Sequence, residues 1–183
     1  MEEIQMTRRR VEVVPYQSEW KNLFEKERQL LANIFKPLVV DIHHIGSTSV
    51  RGLSAKPIID ILLAADKLAE VEEATPQIEA AGYEAKGENG IPGRRYFQKS
   101  DEDGVRKVHL HAYEKDNPEL HRHLVFRDYL REHPNEANRY AEVKEKAAKK
   151  FEYDIESYIA EKSPIVKELE QKALQWNPSP PYN

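Results

Sequence analysis

Between His43 and Leu63 the chain reads HHIGSTSVRGLSAKPIIDILL. An apolar run from Leu38 to Ile42 leads into it, Gly46-Ser47-Thr48-Ser49 breaks it, and a second apolar run follows, interrupted only by Asp60. Short apolar runs bounded by glycine and proline are the pattern of buried strands. A carboxylate inside such a run is costly to bury unless it is paired, hydrogen-bonded or bound to a metal. Side chains alternate along a strand, so Ile58, Asp60 and Leu62 share one face and Ile59, Ile61 and Leu63 the other. Asp60 therefore stands in the middle of a sheet for a reason other than packing, and the rest of the chain is read around it.

The chain in order predicts a mixed arrangement of strands and helices. Val11 to Tyr16 reads as a short strand ended by Pro15. A helix follows with Ser18 as N-cap and Trp20, Leu23, Phe24, Leu31, Ile34 and Phe35 at helical spacing, ended by Pro37. Leu38–Ile45 and Pro57–Leu63 are the core strands, and Leu68–Ala81 is a helix stopped by Gly82. Tyr83–Lys86 reads as a further strand, Gly87–Gly93 as a loop, and Arg95–Lys99 and Arg106–Tyr113 as two strands joined by the acidic turn 101–104. Leu120–His133 is a helix stopped by Pro134, Glu136–Phe151 a second, and Asp154 caps a third. Ser163-Pro164 fits an N-cap and first-turn proline restarting a helix through Trp176. The expectation is one domain over 1–183: an α/β core to about residue 115, a helical lobe over 116–176 and a loose tail over 177–183.

Composition narrows the function. With 28 basic and 32 acidic residues the net charge is −4, which argues against nucleic-acid binding through a clustered basic footprint. There is no cysteine, so disulfides and thiolate metal sites are excluded. The start, MEEIQMTRRR, lacks the apolar segment of a secretory signal, and no apolar run approaches the ~20 residues of a membrane span. The expectation is a cytoplasmic protein with no membrane contact.

Several residues carry candidate chemistry. Gly46 permits close approach of a ligand, and the Ser47 and Thr48 hydroxyls supply donors for a phosphate; the alternative is an ordinary turn, and the Gly-Lys-Ser/Thr ending of a P-loop is absent. Asp60 is a metal ligand or a carboxylate bonded to backbone or to Lys56. His109 and His111 share a strand face about 7 Å apart, a spacing that suits two ligands of one metal, with Asp60 completing a two-histidine, one-carboxylate set. His44 would be a fourth member, with His43 structural on the opposite face. His123 and Arg127 stack on one side of a helix and hold an anion or a salt bridge. Arg94, Arg95 and Lys99 form a small basic patch read as solvated surface with an anion-binding option, and the run from Glu142 to Lys150 reads as an exposed helix face.

Together Val14-Pro15-Tyr16 with Trp20, HIGSTSVRGLSAKPIIDILL, the His-Leu-His strand and RHLVFRDYLREHP resemble the GrpB family, over nearly the whole chain. The resemblance implies an α+β fold, a nucleotidyltransferase-like mixed β-sheet with helices and a C-terminal helical lobe closing a cleft. In nucleotidyltransferases of this fold a Gly-Ser turn precedes a strand with two acids, and a third acid sits on a later strand, together holding the divalent metal that orients a triphosphate. Carried over, Gly46 and Ser47 match the turn and Asp60 the second acid, but the first acid falls on Ile58, and the later strand offers His109 and His111. Arg51 stands where the family commonly has proline, and Val108 where it often has histidine.

Residue pattern and resemblance together give the expectation of a divalent metal (Mn, Zn or Mg) on Asp60, His109, His111 and His44, although a single acid with histidines points away from the usual two-magnesium chemistry. A nucleotide or other phosphorylated small molecule would be held by Gly46, Ser47, Thr48, Lys56, Arg95, His123 and Arg127. The activity it implies is metal-assisted nucleotidyl or phosphoryl transfer; the alternatives are a non-catalytic nucleotide- or anion-binding module and a metal-dependent hydrolase.

Overall fold

The computed structural model describes residues 9–178. The start of the chain and most of the proline-rich tail lie outside the described residues. In order the elements are α1 (Glu19–Phe35), β1 (Asp41–Ile45), a single 3-10 turn (Ser47–Ser49), β2 (Ile59–Ala65), α2 (Leu68–Ala80), β3 (Tyr83–Ala85), β4 (Arg95–Ser100), β5 (Arg106–Glu114), α3 (Pro118–Glu132), α4 (Pro134–Lys150) and α5 (Ile155–Trp176). The five strands form one mixed sheet in the order β1-β2-β5-β4-β3. Only β2 and β5 run parallel; every other pair is antiparallel. This is the expected α+β arrangement. None of the described helices is long and apolar enough to cross a membrane.

Register gives each strand residue its face. On one side Ile59, Ile61, Leu63, Phe97 and Leu110 meet Trp20, Leu31 and Phe35 of α1 and Val71 and Ile78 of α2. Full burial of each such side chain contributes about 1.5–3 kcal/mol, so this layer anchors the sheet. On the other side Ile45, Leu62, Ala64 and Tyr113 pack against Leu120 and Leu124 of α3. The helices α3, α4 and α5 hold together through Val125, Tyr129, Tyr140, Ile165 and Leu169, and they reach back to Val50 and Leu53 after the 3-10 turn.

The structure differs from the expected elements at four places. Residues 11–16 are not a strand: a single bridge joins Val14 to Ala55, and Val11 donates instead to the Glu152 carbonyl. Leu38 and Val39 precede β1 and are exposed, since no neighbouring strand reaches them. Pro134 opens α4 rather than merely ending α3, because a helix N-terminus has no use for the missing N–H. Ser163-Pro164 restarts nothing: α5 runs through Pro164 without a break. Tyr158, Ile165 and Leu169 are buried on its inner side, so packing outweighs the one lost backbone bond.

Candidate functional site

Asp60 is the second residue of β2, where β1 ends opposite it (Ile45 pairs with Asp60) and the chain turns sharply at Gly46. Gly46 has φ +72°, and a Cβ there would lie 2.7 Å from Asp60 Oδ2, so only glycine lets the bend pass over the carboxylate. Across the parallel pair Asp60 is in register with His109. His109 Nδ1 and His111 Nε2 each stand 3.5 Å from Asp60 Oδ1. Burial alone would raise the Asp60 carboxyl, but hydrogen bonds from His109 and His111, with their charge, outweigh it and hold it well below the usual carboxylate range.

The second imidazole is itself held. Arg94, 7% exposed, places Nη1 3.3 Å from His111 Nδ1 and donates to the Glu88 and Asn89 carbonyls, with its guanidinium over the Tyr96 ring. Arginine can only donate, so Nδ1 accepts and the proton of a neutral His111 sits on Nε2, turned to Asp60. That proton occupies the direction a metal would need. Among the described residues no three His, Asp or Glu side chains gather as a cation cage. The arrangement therefore suits an imidazole-bound carboxylate and does not suit the expected divalent metal.

Beside Asp60 lies a pocket of about 190 Å³ lined by Gly46, Ser47, Thr48, Lys56, Asp60, His109, Phe126, Tyr140, Lys144, Tyr158 and Lys162, with Ala55 and Ile58. Its dominant feature is cationic. Lys144, only 2% exposed, donates to Ser47 Oγ (2.8 Å) and to the Ser54 carbonyl (2.6 Å), with its Nζ 4.4 Å from the Tyr140 ring centre. Lys56 and Lys162 flank the Tyr158 ring at 5.5 and 5.3 Å. Burial, then the charges of Lys162 and Lys56, pushes the Lys144 amine down to about 7. Burial and the Lys56 charge push Lys162 down to about 8, against the pull of Asp60, and burial lowers Lys56 as well. None of the three forms an ion pair among the described residues. Two side-chain atoms of the lining residues, Tyr158 Oη and His109 Nε2, are buried without a hydrogen-bond partner. With Nδ1–H turned to Asp60, Nε2 of a neutral His109 is an acceptor, whereas the Tyr158 hydroxyl can donate or accept.

The remaining sequence candidates fall elsewhere. Thr48 is buried, its Oγ1 bonded to His44 Nε2 (2.9 Å) and to the Ile58 carbonyl. His44 pairs with Ile61 and so sits on the α1 face, stacked on Phe24, away from Asp60; burial pushes it down to about 4 despite Asp60. His43, paired with Leu62, is the imidazole of β1 on the Asp60 face. Arg127 bonds Asp128 and the His44 carbonyl, tying α3 to β1. His123 lies beside Arg122, His111 and Tyr113 and is pushed down to about 3, chiefly by burial. Arg95 points to α2 and binds Glu72. Neither Arg127, His123 nor Arg95 lines the pocket. A larger cleft of about 830 Å³ lies between α1 and the α3–α4 junction, with Thr48 as shared wall.

Two expectations are corrected here. The run from Glu142 to Lys150 is not wholly an exposed face, since Lys144 is buried, and Arg94 is buried rather than solvated. The signal for Lys144 was present. Tyr140, Lys144, Ala147 and Phe151 recur at helical spacing, so Lys144 lies within the apolar stripe, as Lys162 lies between Tyr158 and Ile165.

Fold and site together define an α+β protein whose mixed sheet presents an imidazole-held carboxylate and a lysine-lined pocket beside a glycine-serine bend. Residues 10–172 match the GrpB protein family, and the chain belongs to it. It is 44% identical over 169 residues to UPF0157 protein YqkA of Bacillus subtilis (strain 168), covering 92% of this chain and 49% of that protein, so the chain spans about half of YqkA's length. It is 37% identical to the glutamate-rich protein GrpB of Alkalihalophilus pseudofirmus, over 86% of this chain and 92% of that one. The crystal structure of the conserved protein GrpB from Enterococcus faecalis superposes with a TM-score of 0.86 at 40% identity, covering 92% of this chain and all of that one.

Proposed function

We propose that the pocket binds the phosphate of a nucleotide or other small phosphorylated molecule, and does so without a resident metal. The observation that carries this is the meeting of Lys56, Lys144 and Lys162 around one small cavity with, among the described residues, no carboxylate in an ion pair with any of them; Asp60 on the same wall offsets only part of the charge on Lys56 and Lys162. Three buried or half-buried amines repel one another, and a phosphate relieves that repulsion and accepts their hydrogen bonds. Ser47 and Tyr158 are among the residues that line the cavity. A volume of about 190 Å³ equals about six waters at ~30 Å³ each, room for a phosphate with a short substituent, while a nucleoside would extend outward.

Isothermal titration with inorganic phosphate and with a nucleoside triphosphate tests this. Binding should persist in EDTA, weaken with salt and fall at least tenfold in Lys56→Gln or Lys162→Gln. Asp60 on the same wall favours a second reading, metal-assisted nucleotidyl or phosphoryl transfer. Nucleotide binding that needs Mn²⁺, Zn²⁺ or Mg²⁺ and disappears in Asp60→Ala would favour that reading and reject ours.

A further inference from the structure

We infer that Lys144 is an acyl-accepting nucleophile: an acyl phosphate seated in the pocket acylates its amine and leaves inorganic phosphate between Lys56 and Lys162. This rests on the phosphate-binding reading and adds a covalent modification site to it.

Lys144 is placed as a nucleophile must be. Its amine is fixed by two acceptors, Ser47 Oγ and the Ser54 carbonyl. In the neutral form those acceptors take both hydrogens, and the nitrogen lone pair is left unclaimed. Desolvation beside other cations is the arrangement that activates a lysine amine, and burial with the Lys162 and Lys56 charges brings this one down to about 7. About half of it is then free base at neutral pH, against roughly one part in 2,500 for an exposed lysine near 10.4. Its lower basicity gives back part of that advantage.

The rest of the pocket suits the leaving group. The amine lone pair attacks the acyl carbon and a C–N bond forms. The bond from that carbon to the phosphate oxygen breaks, and its electron pair leaves with the phosphate. The proton lost from nitrogen passes to the departing phosphate. Lys56 and Lys162 line the same cavity, so the charge that develops on phosphate meets two cations. The cavity holds the phosphate with a short acyl group, and a longer acyl chain would extend outward. Once formed, the amide removes one of the three charges and fills part of the space, so the reaction stops at one group and weakens phosphate binding.

The test uses the intact protein and acetyl phosphate, with acetylated lysines followed over time by peptide mass mapping. Lys146 and Lys149, exposed on the same helix, serve as internal references. The expected result is acetylation of Lys144 at least tenfold faster than of either reference. Added inorganic phosphate and Lys162→Gln should each slow it selectively, and the acetylated protein should bind phosphate at least tenfold more weakly. Phosphate that binds by titration while Lys144 reacts no faster than Lys146 and Lys149 overturns the acyl transfer and leaves the pocket standing. Fast labelling of Lys144 that phosphate does not slow, in a protein that binds no phosphate, overturns both.

Discussion

Replacing Lys144 with methionine should change how stability depends on pH. The amine is buried and its pKa falls from 10.5 to about 7 on folding. At about 1.4 kcal/mol per pH unit, that fall corresponds to about 5 kcal/mol of penalty on the folded state when both states are protonated. The unfolded chain keeps an ordinary lysine, so between pH 7 and 10.5 it binds more protons than the folded one, and stability rises with pH across that window. From pH 7, where the folded amine is still half protonated, to pH 9 the gain from this one group is about 2.3 kcal/mol, or about 5–9 °C in Tm for a chain of this size. Lys144→Met also costs the bonds to Ser47 and Ser54, but that loss does not vary with pH. The quantity to measure is the Tm difference between wild type and Lys144→Met at pH 7 and again at pH 9, in phosphate-free buffer by calorimetry. The difference should shift toward wild type by about 2–3 kcal/mol. Parallel curves would refute the reasoning, because they would mean that Lys144 stays charged in the folded protein.

Three structural predictions accompany it. Gly46→Ala forces an L-residue to φ +72°, ψ −176° with its Cβ against Asp60, and should cost about 3 kcal/mol, seen as a Tm drop of about 6–12 °C. Asn117→Ala removes the side-chain acceptor of the Glu119 N–H at the start of α3 and should cost about 1 kcal/mol, read as a lower urea midpoint with unchanged m. Pro164→Ala restores an N–H toward the Ala160 carbonyl inside α5 and should stabilise by about 1–3 kcal/mol, checked by thermal unfolding.

The sequence carried the sheet's ingredients but not their pairing. Period-two alternation is enough to put His109 and His111 on one face. That this face is also Asp60's follows from the parallel β2–β5 register, which joins residues far apart in the chain. The same dependence explains the two histidines of β1. Which of them shares the Asp60 face turns on the pairing of Ile45 with Asp60, and a shift of one residue exchanges them. Lys144 was hidden for another reason. The charge-rich composition of residues 142–150 suggests a solvated face, while helical spacing places Lys144 among Tyr140, Ala147 and Phe151. Ser163-Pro164 has the local form of a helix start, and tertiary packing along α5 overrides it.

The short segment from Val11 to Val14 has a role out of proportion to its length. It joins the loop before β2, through the paired bonds between Val14 and Ala55, to the turn between α4 and α5, through the Glu152 carbonyl. Val11 also packs with Ala147, Ala148 and Tyr158. Lys56 follows Ala55 directly, and Lys144 and Lys162 ride on the two helices that this turn connects. The spacing of the three amines is thus a ruler reading of how the strap is seated. Anion affinity in this protein should serve as a gauge of whole-chain order, falling when the strap is loosened even though no atom of the strap meets the guest.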